Sequence, residues 1–268
     1  MRLKERARSW AAPALLVPLA MASPAPPQPP GDAIAFALGA GVLEPRDAQT
    51  LLHQSDAGRL APSAFRARLT VSGPPSKGVH QIEVWRSNES MLVRFLDAKE
   101  RGKYLLRREG EQWLIAPGAR KPVRLKTSYR LYGGVTLEEI WSVPLEKTYA
   151  IASAVRESDD AGDLVAFDLD AISEHALFPR ARYVVRERAR RPVRATYSLR
   201  SGREAIAIEF FDWSERGAPY ARRVVLSDLL RKGAKSEVEV LELEERPVPA
   251  ALFDLEDASA RHALDDGP

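Results

Sequence analysis

From Phe65 onward apolar and polar residues alternate in short runs. The pattern begins in Phe65-Arg66-Ala67-Arg68-Leu69 and recurs around Ile82 and Val84, at Met91, Val93 and Phe95, at Tyr104 and Leu106, at Trp113 and Ile115, and at Val123 and Leu125. It resumes at Tyr183 and Val185, at Val193, Ala195 and Tyr197, at Ile206, Ile208 and Phe210, at Val224 and Leu226, and at Val238 and Val240. A period of two sends successive side chains to opposite faces of a strand. Runs of this kind separated by polar or turn residues predict antiparallel strands with one buried face.

Two hairpins can be placed in register. A turn at Glu109-Gly110 sets Leu106 opposite Trp113 and Tyr104 opposite Ile115, so these four share a face. A turn at Ser201-Gly202 sets Tyr197 opposite Ile206 and Ala195 opposite Ile208. Arg107, Gln112, Thr196 and Ser198 fall on the other, wet faces. Helical signals are few. Pro45 suits a first helical turn, with Ala48, Leu51 and Leu52 on one face and an end near Asp56-Ala57-Gly58. After Gly133-Gly134, Thr136 to Glu139 fits a capping box, and Leu137, Ile140 and Trp141 form a short apolar ridge that must pack on the sheet.

Composition narrows the class. The chain has 268 residues, 45% hydrophobic, and no cysteine, which excludes disulfides, thiolate metal sites and a lipidated cysteine. Its formal charge of +3 arises at the N-terminus. Setting aside Arg2, Lys4, Arg6, Arg8 and Glu5 leaves 36 basic and 36 acidic residues of the original 40 and 37, so no global field favours nucleic acid. Arg2 to Arg8 form a positive region, Trp10 to Leu19 an apolar one, and Ala20-Met21-Ala22 a small-x-small cleavage pattern, so residues 1–22 read as an export signal. Pro24 to Pro30 continue as a stiff linker within 23–44. No later stretch approaches the length of a membrane-spanning helix.

Catalytic patterns are absent. His53, His80, His175 and His262 lie in four separate segments, with no G-x-S-x-G turn, phosphate loop or clustered metal ligands. No catalytic residue, metal or cofactor is expected, and the protein is read as a non-enzyme. Arg180 to Arg194 holds seven arginines and one acid. It is either the solvated face of a hairpin turning at Arg190-Arg191-Pro192, or an anion or partner patch formed by Arg186, Arg188, Arg190 and Arg191. The apolar strand face containing Phe65, Leu69, Val84, Met91, Phe95, Tyr104, Trp113, Tyr197 and Phe210 is the leading functional candidate, as the floor of a core or of a hollow.

Glu100 to Leu125, ERGKYLLRREGEQWLIAPGARKPVRL, resembles a hairpin of the LolA-like outer-membrane lipoprotein-sorting protein family. Tyr132 to Ile140 is similar to that family's glycine-led segment, Arg191 to Gly202 to its later strand pair, and Val248 to Phe253 to its ending. The resemblance implies a mainly β fold: one strongly curved antiparallel sheet, an incomplete barrel, with a few short helices on its concave face. The half-barrel would span 45–258, with 259–268 a flexible tail. It further implies a soluble periplasmic carrier that binds acyl chains of a lipid or lipoprotein for transfer toward the outer membrane. Tyr104, Leu106, Trp113, Ile115, Tyr197 and Ile206 would then join the trough, Leu137, Ile140 and Trp141 its lid, and Leu51 and Leu52 would contribute from the first helix. Expected partners are acyl chains, an inner-membrane exporter and a transiently contacted membrane, with no nucleic acid, and the protein is expected to be a monomer. The competing reading is an accessory module for a resistance-nodulation-division exporter, or an envelope sensor, working through the arginine face.

Overall fold

The computed structural model describes residues 41–59, 62–126, 144–174, 176, 178–215, 217, 219–231, 234–256 and 258–265. Two antiparallel meanders build one sheet. The first comprises β1 (Ala64–Ser72), β2 (Val79–Ser87), β3 (Ser90–Phe95), β4 (Tyr104–Arg108), β5 (Glu111–Ile115) and β6 (Val123–Leu125). The second comprises β7 (Tyr149–Asp159), β8 (Gly162–Ala171), β9 (Arg180–Arg186), β10 (Arg191–Ser198), β11 (Glu204–Trp213), β12 (Ala221–Asp228) and β13 (Ala234–Glu245). Within each meander every strand pairs with its sequence neighbour, and the meanders join where β1 pairs β13. β6 and β7, consecutive in the chain, are therefore the opposite edges of a curved sheet that does not close into a barrel.

Local chemistry explains the turns. Glu109 (φ 53°) and Gly110 (φ 78°) both adopt positive φ, as a two-residue hairpin with the strands' own twist requires. Tyr104 pairs Ile115, Leu106 pairs Trp113, and Tyr197 pairs Ile206, as the sequence predicts. Gly73 leaves β1 at φ 125°, pressed against β13. A Cβ there would lie 2.6 Å from the Lys235 carbonyl oxygen, so glycine is required for the close approach.

β7 and β8 have no counterpart in the sequence prediction. Leu164, Val165, Ala166 and Phe167 are all buried, so both faces of β8 are covered and alternation disappears. β7 is mostly small or polar and largely exposed beyond Val155. Its free edge is partly paired by residues 41–43: Val42 bridges Val155, Leu43 N–H donates to the Ala154 carbonyl (3.0 Å), and Arg156 N–H donates to that of Gly41 (2.6 Å).

Helix α1 (Pro45–Arg59) packs on β7 and β10, burying Ala48, Leu51 and Leu52 in the main core. The short helix α2 (Leu145–Thr148) is tied to it. Buried Asp56 accepts the Leu145 N–H (2.5 Å), capping the first turn, and His53 meets Glu146 at 2.8 Å. The C-terminus departs from expectation. Instead of a flexible tail, a 3₁₀ turn (Ala250–Phe253) and helix α3 (Ser259–Asp265) follow β13, and the turn packs on β3 and β4. Because the turn's Leu252 and Phe253 pack with the apolar side chains on the outer side of those strands, short helical pieces cover both faces of the sheet, not the concave face alone.

Candidate functional site

Strand register sorts the predicted trough residues onto two faces. Phe65, Leu69, Val84, Met91, Phe95, Tyr197 and Ile206 belong to the main core on the inner face, with Phe210 half-buried against it. Val93, Leu105, Phe167, Tyr183 and Val185 extend this surface and are all 1% exposed or less. Tilted aromatic contacts join Tyr197 to Tyr149 and Phe178, with ring centres 6.5 and 5.8 Å apart. Leu137, Ile140 and Trp141 lie outside the described residues.

Tyr104, Leu106, Trp113 and Ile115 do share a face, but it is the outer one. Leu106 pairs with Leu92, which pairs with Trp85, while the inner residue Leu105 pairs with Val93. Tyr104 and Leu106 are buried with Trp85, Leu92, Leu252 and Phe253 in a second cluster, with Ile115 packed against it. The placement of these four in the trough is thus corrected. Tyr104-Leu105-Leu106 is apolar on both faces, so alternation could not say which faced inward; the C-terminal turn decides by covering the outer one. The same register corrects the wet face of this hairpin. Arg107 and Gln112 point inward, and Gln112 is only 1% exposed.

The outer cluster borders a cleft of about 380 Å³, lined by Trp85, Val248, Leu252 and Leu264 with Arg66, Glu83 and Arg94. Glu83 is 3% exposed and takes hydrogen bonds from Arg66 Nε (2.5 Å) and Arg94 (3.4 Å). A carboxylate this deep needs such cationic partners. Arg94 also contacts Asp265 at 3.2 Å. Tyr104 donates to Asp265 (2.6 Å), with the Arg261 carbonyl at 2.9 Å as a second acceptor. Burial first, and then the Asp265 carboxylate, push the Tyr104 phenol above its ordinary value. Buried Arg261 donates to the carbonyls of Leu252 and Asp254, fastening α3 to the preceding turn.

The arginine run is interleaved with acids. Arg186 binds Asp159 at 2.6 and 3.0 Å, which holds the Asp159 carboxyl below and the Arg186 guanidinium above their usual values. Arg182 meets Glu157 and Asp168, Arg180 meets Asp170, and exposed Arg188 lies 3.7 Å from Asp163. Arg190 occupies a turn position at φ 52°, and Arg191 stacks over the Trp213 ring at 5.7 Å. These partners come from β7, β8 and β11, so composition within the run alone could not show them.

Among the described residues, no three metal-ligating side chains converge, and no helix is long and apolar enough to cross a membrane.

Comparison with known proteins places this architecture. The structure superposes on a LolA superfamily protein from Nitrosomonas europaea with TM-score 0.68 and 23% identity, covering 78% of this chain and 98% of that one. It also matches a domain named as an outer membrane lipoprotein-sorting protein from Vibrio parahaemolyticus (TM-score 0.62, 13% identity, 82% and 97% coverage). A DUF1329 family protein from Desulfovibrio piger matches with TM-score 0.66 and 13% identity over 80% and 99%. No curated protein matches the sequence. Residues 87–257 match a family model described as an uncharacterized protein. The chain therefore belongs to that family, and its fold is LolA-like.

Proposed function

We propose that the protein is a soluble periplasmic carrier that holds acyl chains of a lipid or lipoprotein against the inner face of its sheet, for transfer toward the outer membrane. The observation that carries this reading is one apolar face running across both meanders of a sheet whose two edges stay apart. An acyl chain gains about 0.8 kcal/mol per methylene buried, so such a face gives affinity without directional contacts. Phe65, Leu69, Val84, Met91, Phe95, Tyr197, Ile206 and Phe210 are the proposed floor, with α1 and α2 over the β7 and β10 side. The fold shared with a lipoprotein-sorting domain supports the reading by analogy. Residues 1–22 supply the export signal that the periplasmic assignment needs. Within the alternative anion patch, Arg186 and Arg188 face the acids Asp159 and Asp163, and Arg191 lies over the Trp213 ring.

The test is mass spectrometry of organic extracts from protein purified from its own periplasm, with uptake of a fluorescent fatty acid by the delipidated protein. A stoichiometric acyl lipid supports the carrier; a clean extract together with no uptake rejects it.

A further inference from the structure

Exposed charge is divided unevenly between the two ends of the sheet. Strand pairing puts the β1–β2 (73–78), β3–β4 (96–103) and β5–β6 (116–122) connections at one end, beyond the pairs Ser72 with Val79, Ile82 with Phe95 and Tyr104 with Ile115. A Cβ on Gly102 would lie 3.1 Å from Pro117, so the second and third connections touch. The three together hold six cations, Lys77, Lys99, Arg101, Lys103, Arg120 and Lys121, against two acids. Both acids are engaged at this end, Asp97 with His80 at 2.5 Å and Glu100 with Lys103. Asp265 of α3 comes close to Gly102 but is taken up by Arg94 and Tyr104. The other five cations are exposed and have no ion-pair partner among the described residues. At the opposite end of the same meander, the turns Asn88-Glu89 and Glu109-Gly110 carry two acids and no cation.

Exposed apolar side chains follow the same polarity. Among the described residues six large ones are exposed, and four of them stand at the basic end. Val79 and Val123, 65% and 56% exposed, begin β2 and β6. Ile172 and Leu230 lie in the β8–β9 and β12–β13 connections, which the pairing of Ser72 with Glu237 brings to the same end. The second meander's part of this end carries both signs, Arg200, Arg203 and Lys235 beside Glu174, Glu204 and Asp228, so the basic surface belongs to the first meander.

From this arrangement we infer that the end formed by the first meander's three connections docks on an anionic bilayer, with its cations among the lipid headgroups and Val79 and Val123 at their boundary. Each Lys or Arg held near such a surface raises affinity several-fold, and the effects accumulate without any one side chain making a fixed contact. Exposed apolar side chains set among the cations add burial against the headgroup layer. The cations are spread over connections from β1 to β6, five strand spacings or about 24 Å. A broad layer of negative charge matches that spread. The inference goes beyond the carrier reading, because docking uses none of the inner-face residues and holds whether or not the sheet carries an acyl chain.

The experiment sediments the purified protein with vesicles of phosphatidylcholine alone and of phosphatidylcholine with about one third phosphatidylglycerol. Binding is expected on the anionic vesicles at low salt, roughly tenfold or more above the neutral ones. Salt of about 1 M, which screens charges beyond about 3 Å, should release it. Arg120→Gln with Lys121→Gln is expected to weaken binding by roughly tenfold. Arg188→Gln with Arg190→Gln, which removes the same charge at the opposite end, should change it less than about twofold. Because the chain has no cysteine, Val123→Cys and Glu109→Cys each give a single site for a polarity-sensitive dye. The first is expected to report an apolar environment on anionic vesicles and the second is not. Equal binding to both vesicles, equal losses from the two double variants, or equal dye responses overturn the docking end. Binding to neither vesicle overturns it as well and turns the basic end toward an acidic protein partner.

Discussion

Tyr104 on β4 donates its hydroxyl proton to Asp265 at the end of α3, 161 positions later in the chain. This contact fixes the C-terminal helix over the outer cluster, and burial of Tyr104 makes it sensitive to substitution. Tyr104→Phe keeps the ring and removes the bond. The expected cost is about 1 kcal/mol, read as a lower denaturation midpoint with unchanged slope.

The same phenol gives an alkaline signature. Its folded pKa lies above the ordinary value of about 10, so the unfolded chain releases the proton first as pH rises. The stabilisation is complete below about pH 10 and is lost progressively above it, and Tyr104→Phe should remove this component. Denaturation of both proteins between pH 9 and 11 is the measurement, and parallel curves would refute it.

At the acid end the sign reverses. Asp159 titrates below its usual range, chiefly because Arg186 donates to it, so its contribution is present above about pH 4 and disappears as pH falls through the folded value. Arg186→Leu should flatten that part of the stability curve. The pair is exposed, so high salt should mimic the substitution.

The division of faces makes a functional prediction. Tyr197→Asp places a charge on the inner face and should abolish acyl-chain uptake, whereas Trp113→Asp, on the outer face, should leave it intact. Equal loss in both, with both folded, would contradict the trough assignment. Leu69→Ala, at a fully buried inner position, should destabilise the protein by about 2–5 kcal/mol in thermal or chemical unfolding.

Glu83 offers a test of the outer network. Glu83→Gln leaves Arg66 and Arg94 facing a neutral amide, and a loss of roughly 2 kcal/mol is expected in equilibrium unfolding. Adding Arg94→Met should recover part of it.

The strands that could be read from sequence were those with local instructions. Glu109-Gly110 and Ser201-Gly202 specify their own turns, and a turn fixes the register of its hairpin whatever surrounds it. The side each hairpin presents to the interior is a different kind of information. For Tyr104-Leu105-Leu106 it depends on Leu252 and Phe253, remote in sequence, arriving on the outer face. β8 was hidden for a related reason: when both faces are covered, Leu164 to Phe167 can all be apolar and the period vanishes. The acids that pair with the arginines are equally illegible, because they lie on β7 and β8, strands that no alternation in the sequence marks as neighbours of the arginine run.

The seam between β1 and β13 also bears on how the chain reaches this state. Every other strand pair joins sequence neighbours and can zip from its own connection, but Phe65 must find Glu245 across most of the chain. Closing that loop costs entropy before any seam contact repays it, so the two meanders should form first and their union should limit the folding rate. Gly73→Ala, which crowds the seam at Lys235 and Ser236, should then slow refolding, while substitutions confined to one hairpin should mainly hasten unfolding.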